Sequence, residues 1–148
     1  MGQVADAALL GGGTVVGVIP RNLAERELAH TALTELHTVE NMHERKARMT
    51  ELADGFVALP GGYGTLDELF EVMSWAQLGL HDKPVGVLNV AGYFDPLIAM
   101  LDQAARERFV NPTHRALVVV ADRGPLLLDR LHLHSVPRVP KWIDLDAV

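Results

Sequence analysis

The sequence contains no cysteine, which excludes a disulfide framework, a thiolate nucleophile and any zinc site built on sulfur. It also lacks a surplus of positive charge. Thirteen Lys and Arg stand against 19 Asp and Glu, a formal net charge of −6, so no overall field draws the chain to nucleic acid or anionic lipid, and any bound anion must be held by a local site. No apolar run approaches the roughly 20 residues that a membrane span needs. The opening MGQVADAALLGGG has neither a basic leader nor a small-residue cleavage pattern. These absences predict a soluble protein of a reducing compartment, with the cytoplasm as the expected location and neither nucleic acid nor membrane as a partner. What is present is 148 residues, 49% of them hydrophobic, without internal repeat or low-complexity linker. That is enough for one domain over residues 1–148.

Short β-branched runs alternate with longer amphipathic segments. Residues 14–19, 36–40, 56–60, 84–90 and 116–121 read as strands, and those made of continuous apolar residues suggest burial on both faces. Helical patterns lie between them at 41–53, 65–79, 93–108 and 123–132. Strand and helix in alternation predict an α/β fold: a three-layer, mostly parallel sheet with helices on both faces, wound by right-handed crossovers. Gln3 to Leu10 reads as a further helix, stopped by Gly11, Gly12 and Gly13. Those glycines precede a strand, whereas a dinucleotide fingerprint follows one, so a helix stop is the preferred reading. The last stretch, SVPRVPKWIDLDAV, has no helical period and is expected to be an extended surface tail anchored by Trp142 and Ile143.

The segment FVALPGGYGTLDELFEVMSWAQLG, residues 56–79, carries the most chemistry. A buried strand runs into Pro60-Gly61-Gly62-Tyr63-Gly64-Thr65, and a helix follows at once. Three glycines in four positions let the backbone turn sharply and bring its N–H groups close to a ligand, while the helix N-terminus adds unpaired donors and a positive dipole end. The turn sits at the carboxyl end of a strand, where open α/β sheets bind ligands. Two plainer readings stand beside this one. Thr65 and Glu68 have the spacing of a capping box, and the glycines could form no more than a tight strand-to-helix connection.

Residues 41–53 place apolar Met42, Met49 and Leu52 on one helical face. Arg45 falls on that stripe and Lys46 borders it, while Glu44, Arg48 and Glu51 take the opposite face. Snorkelling of long aliphatic stems explains such a placement, more readily for Lys46 than for Arg45. A cation turned inward beside a glycine turn makes an anion site.

The strings MHERKARM (42–49), LPGGYGTLDEL (59–69) and WAQLGLHDKPVGVLNVAGYF (75–94), with VIPRNLAEREL at 18–28 and the PRVPKWIDLD tail, resemble the LONELY GUY family of cytokinin riboside 5′-monophosphate phosphoribohydrolases, whose hallmark is a PGGxGTxxE pattern. The resemblance covers nearly the whole chain and implies a Rossmann-like fold. It makes Arg45 and Glu68 the catalytic pair. It also implies that Gly61, Gly62, Gly64 and Thr65 hold the 5′-phosphate and ribose, that Met42 and Lys46 line the pocket, and that Glu27 is a further substrate-side carboxylate. A homodimer or larger homo-oligomer using the region of Trp75, Leu78 and Leu80 is implied as well, although a plain core role for these residues is also open. Family members begin with a strand, a helix, a second strand and a GGGxxGLMG loop. The present chain starts at what looks like the last Met-Gly of that loop, so the fold is expected to be N-terminally truncated relative to the family.

Neither metal nor cofactor is expected. His132 and His134 are two apart, but no acidic or histidine partner follows at a recognisable spacing; His43 reads as a helix-surface residue. The leading expectation is a hydrolase that releases base and ribose 5-phosphate from an N6-modified adenine nucleotide. Its alternatives are a general AMP or purine nucleoside-monophosphate hydrolase and a non-catalytic nucleotide carrier. Lysine decarboxylation is the least favoured, since Lys46, Lys83 and Lys141 have no setting that suggests a Schiff base with pyridoxal phosphate.

Overall fold

The computed structural model of the chain describes residues 2–24 and 32–136. They divide into two units, Met1–Ala53 and Asp54–Val148. Glu27 and the tail residues Trp142 and Ile143 lie outside the described residues.

In the first unit α1 (Gly2–Leu10) precedes β1 (Val16–Pro20), the short α2 (Arg21–Ala24), β2 (Glu35–Val39) and α3 (Met42–Leu52). The glycine stop works as expected: Gly12 has φ +78°, and Gly13 N–H reaches back to Ala8 O at 2.9 Å. β1 and β2 pair in parallel from Val16 opposite Glu35 to Pro20 opposite Val39. At the far ends of the two strands Arg21 Nη2 donates to Glu40 Oε1 at 2.8 Å. That hydrogen bond, with the guanidinium charge, holds the Glu40 carboxyl below the usual carboxylate range.

The second unit runs β3 (Phe56–Ala58), α4 (Tyr63–Gln77), β4 (Val85–Leu88), a 3-10 turn (Val90–Gly92), α5 (Asp95–Arg106), α6 (Pro112–Arg115), β5 (Val118–Ala121) and α7 (Gly124–Leu133). Its sheet is parallel throughout, in the order β3-β4-β5. Side-chain alternation along the central strand explains the continuous apolar run. Val85 and Val87 enter a cluster with Leu69 and Val72 of α4 and Phe94, with Leu97 and Ile98 of α5 packed against it. Leu88 turns to the other face, toward Leu127 and Leu131 of α7. Gly86 shares that second face: a Cβ there would stand 3.0 Å from Leu131 Cδ1 and 3.1 Å from Leu127 Cδ1, so glycine lets α7 lie close against the strand. This unit therefore has the expected layers, α4 and α5 on one side of a parallel sheet and α7 on the other. Val85, Val87, Phe94 and Leu127 are each almost wholly buried, worth at most about 1.5–3 kcal/mol apiece in removal from water.

Several helix boundaries differ from expectation for physical reasons. Helix α4 starts at Tyr63 and ends at Gln77, two residues early at each end of the predicted 65–79: Gly62 rather than Thr65 is its N-cap, and Gly79, at φ +72°, closes its C-terminal end. Helix α5 starts at Asp95 rather than at 93, because Phe94, at φ −94° and ψ 5°, is its N-cap.

Candidate active site

The turn after β3 is built from the three glycines, but not through left-handed backbone. The glycines with positive φ among the described residues are Gly12, Gly79 and Gly92, and Gly62, the N-cap of α4, has φ −93° and ψ −152°. Space is what the turn requires. A Cβ on Gly61 would collide with Thr65 Oγ1, whereas the Cβ positions of Gly62 and Gly64 have no atom within 4 Å. Gly61 is therefore fixed by the packing of Thr65, and Gly62 and Gly64 leave open room in front of the helix.

No side chain caps α4. The capping-box reading of Thr65 and Glu68 is thereby corrected: with Gly62 as N-cap, Thr65 is the third residue of the helix and Glu68 falls in its second turn. The first-turn N–H groups are orphan donors by helix geometry, and they sit at a positive dipole end at the mouth of a parallel strand. Glu68 is half-buried, on the flank of the stripe formed by buried Leu69, Val72 and Ala76. Tyr63 is 93% exposed.

Side chains do cap α3, in a variant of the capping box that reaches one residue further back. The Asn41 side chain accepts from Glu44 N–H at 2.9 Å, and Glu44 Oε2 accepts from Glu40 N–H at 3.0 Å. Glu44 is thus engaged at the helix start, while Arg48 and Glu51 pair at 3.0 Å on the outer face. Arg45 is half-buried, and its Nε donates to Val18 O of β1 at 3.2 Å, which ties the guanidinium to the strand in place of simple snorkelling. Lys46 is half-buried on the same helix, and Met42 is 42% exposed. His43 is exposed, in keeping with a surface residue.

The structure thus collects Gly61, Gly62, Gly64, Thr65 and Glu68 in one turn and helix of the second unit. Met42, Arg45 and Lys46 share one helix of the first. Sequence reading gave no role to Tyr93, whose hydroxyl donates to Gly61 O at 2.6 Å; a bond across 32 positions leaves no periodic signal. It also missed His81. Lys83 N–H donates to His81 Nδ1 at 3.2 Å, so the proton lies on Nε2, which donates to Val72 O of α4 at 2.9 Å. Burial pushes the His81 pKa down; the hydrogen bond to Val72 O opposes this, the Lys83 charge adds to the lowering, and the Asp82 charge opposes it. Among the described residues no group of three or more His, Cys, Asp or Glu is arranged to hold a metal ion, and no helix is long and apolar enough to cross a membrane.

Residues 1–131 match the sequence profile of the family described as "Possible lysine decarboxylase". A "Probable cytokinin riboside 5′-monophosphate phosphoribohydrolase" of Oryza sativa subsp. japonica is 49% identical over 143 residues, 97% of this chain and 57% of the relative. Another from the same organism is 53% identical over 131 residues, 88% of this chain and 58% of the relative. A "Cytokinin riboside 5′-monophosphate phosphoribohydrolase" of Arabidopsis thaliana is 48% identical over 141 residues, 95% of this chain and 66% of the relative. The chain spans less than two thirds of the length of each of these curated relatives. With most of its length matched by the profile and about half of its aligned residues identical to these proteins, the chain belongs to the LONELY GUY family.

Proposed function

We propose that this protein hydrolyses the N-glycosidic bond of cytokinin riboside 5′-monophosphates, releasing an N6-modified adenine and ribose 5-phosphate. The observation that carries the reading is the N-terminus of α4, which has no side-chain cap and opens on the glycine turn at the carboxyl end of β3, with Glu68 in the second turn of the same helix. Orphan N–H groups and the helix dipole receive the 5′-phosphate. Breaking the glycosidic bond builds positive charge on the ribose, and the Glu68 carboxylate stabilises that charge and orients the attacking water. Arg45 grips the substrate by paired hydrogen bonds, a role that suits a planar guanidinium better than an ammonium. Met42, Lys46 and Glu27 are assigned to substrate contacts by the family resemblance. The activities for which the relatives are named support the same reaction.

The reading takes residues 1–148 as one nucleotide-hydrolase domain, acting in the cytoplasm without metal or cofactor. It also assigns self-association to the apolar group of Trp75, Leu78 and Leu80; Leu78 and Leu80 are exposed, which supports that assignment. Action on AMP itself is the nearest alternative, and a carrier that binds without turnover is the other. Chromatography of the products after incubation with AMP and with isopentenyladenosine monophosphate separates the three. Free base from the prenylated nucleotide, released faster than from AMP, is the expected result. Free base from both at equal rate favours the general hydrolase, and none from either refutes the enzyme reading.

A further inference from the structure

The connection from β4 to α5 is closed by its own hydrogen bonds. Asn89 N–H donates to Ala121 O of β5 at 2.8 Å. Its Nδ2 donates to Asp95 Oδ1 at 2.7 Å, and its Oδ1 accepts from Phe94 N–H at 2.7 Å. A Cβ on Gly92 would stand 2.5 Å from Asp95 Oδ2, so only glycine leaves the carboxylate where it is. Phe94 is 2% exposed, and the Tyr93 ring meets it edge-on at 5.0 Å. Tyr93 is therefore presented by a loop fixed to β4, β5 and α5, and its hydroxyl leaves that loop to bond Gly61 O at 2.6 Å.

The consequence falls on the peptide between Gly61 and Gly62. In a trans peptide the C=O and N–H point in opposite directions, and no cis peptide is present in the described chain. A hydroxyl that holds Gly61 O thus aims Gly62 N–H the other way. Both flanking residues are glycine, which resists rotation of the peptide plane least, and a rotated plane would offer a carbonyl oxygen where a phosphate needs a donor. We propose that Tyr93 is a positioning residue that locks the Gly61–Gly62 peptide, so that Gly62 N–H faces the 5′-phosphate together with the first-turn donors of α4. The inference rests on the nucleotide reading of this turn and adds the residue that sets its donor orientation.

The test is Tyr93→Phe in the full chain, which removes the hydroxyl and keeps the ring against Phe94. The first readout needs no ligand: the ¹H–¹⁵N signal of the Gly62 amide, which shares its peptide plane with Gly61 O. The expected outcome is a moved Gly62 signal, with the amide signals of Val85 and Val87 unchanged. The second is the ratio of kcat/KM for AMP to that for adenosine, which falls by about tenfold in the variant because the lost contact serves the phosphate alone. A tyrosine that only stabilises the fold would lower both substrates alike and leave the ratio where it was, which overturns the inference. An unmoved Gly62 amide with an unchanged ratio overturns it too, while leaving the nucleotide reading intact. A moved amide in a protein whose wild type does not distinguish AMP from adenosine refutes phosphate recognition by the turn, and with it the functional half of the inference.

Discussion

At its N-terminal end helix α4 is capped by Gly62 with no side-chain hydrogen bond, whereas at its C-terminal end the backbone is closed several times over. Leu78 N–H bonds Ser74 O at 3.0 Å, Gly79 N–H bonds Ala76 O at 3.0 Å and Leu80 N–H bonds Trp75 O at 2.9 Å. These last two are the paired bonds of a Schellman motif, with Gly79 at φ +72° in the left-handed position. Beyond it His81 reaches back to Val72 O. One helix thus has an end with spare donors and an end with spent acceptors. The difference separates function from stability: changes at the open end should alter turnover and spare the fold, and changes at the closed end should do the reverse.

The largest effect expected at the open end comes from removing the ligand's phosphate. Nucleosides should be cleaved with kcat/KM lower by on the order of a thousandfold than the matching 5′-monophosphates, since a set of charge-assisted contacts is lost and with it binding energy used to place the ribose. Side-by-side kinetics on AMP or its prenylated form and the corresponding riboside measure it. Comparable values would make the glycine turn a structural connection only. Next comes Glu68→Gln, expected to lower turnover by about a hundredfold or more, as removal of a positioned catalytic group does. Because Gly62 caps the helix, the substitution removes no cap, and the melting temperature should change by no more than a few degrees. Near-normal turnover would withdraw Glu68 from the mechanism.

At the closed end His81→Gln should lower stability by about 1–2 kcal/mol at pH 7.5, through loss of the bond to Lys83 N–H and of the ring packed on Phe56. The Phe56 and His81 centroids are 5.3 Å apart. The cost should shrink as the pH falls. In the folded protein the His81 pKa is lowered, so the unfolded chain binds the proton more readily below about pH 6.5. The stability that neutral His81 contributes is then fully present above that pH and lost as the pH falls toward the lower folded value. Denaturant titrations of both proteins at pH 7.5 and 5.5 should show their curves converging at the acid end. A gap that widens there would mean that His81 is stabilised as the cation.

Much of this layout is legible in the sequence, and the failures have a common cause. The alternation in PVGVLNV, the helix stop at Gly11–Gly13 and the strand-turn-helix at 56–79 all follow from near neighbours along the chain. Thr65 and Glu68 carried a capping spacing but the cap moved to Gly62, and side-chain caps formed instead through Asn41 and Glu44, inside a segment read as helix throughout. The Tyr93 bond to Gly61 and the His81 ring between Val72 and Lys83 depend on which loops the sheet brings together. No local pattern announces them. Of the site, the glycine turn and its helix could be read in advance; the hydroxyl that orients the turn could not.

The smallest effect tests whether helix closure follows backbone rules alone. Helix α5 ends in the same motif as α4: Arg108 N–H bonds Ala105 O at 3.1 Å and Phe109 N–H bonds Ala104 O at 2.9 Å. The left-handed place that Gly79 fills in α4 is taken here by Arg108, at φ +63°. An L side chain in that conformation costs roughly 1–2 kcal/mol, and replacing it by glycine returns about 0.4–1 kcal/mol of that through the greater freedom of the unfolded chain. Arg108→Gly should therefore stabilise the protein by about 0.5–1 kcal/mol, a rise of a few degrees in Tm for a chain of this size. The mirror change, Gly79→Ala, should destabilise by about 1 kcal/mol. Its Cβ would meet nothing within 4 Å, so the loss comes from the dihedral and not from a clash. Neither change touches the open end of α4, and kcat/KM for the nucleotide should stay within about twofold of wild type in both. Thermal unfolding and steady-state kinetics on the two variants decide the matter. A destabilised Arg108→Gly would mean that the arginine side chain makes a contact worth more than the strain of its backbone, and a loss of activity in either variant would mean that the two ends of the helix are coupled.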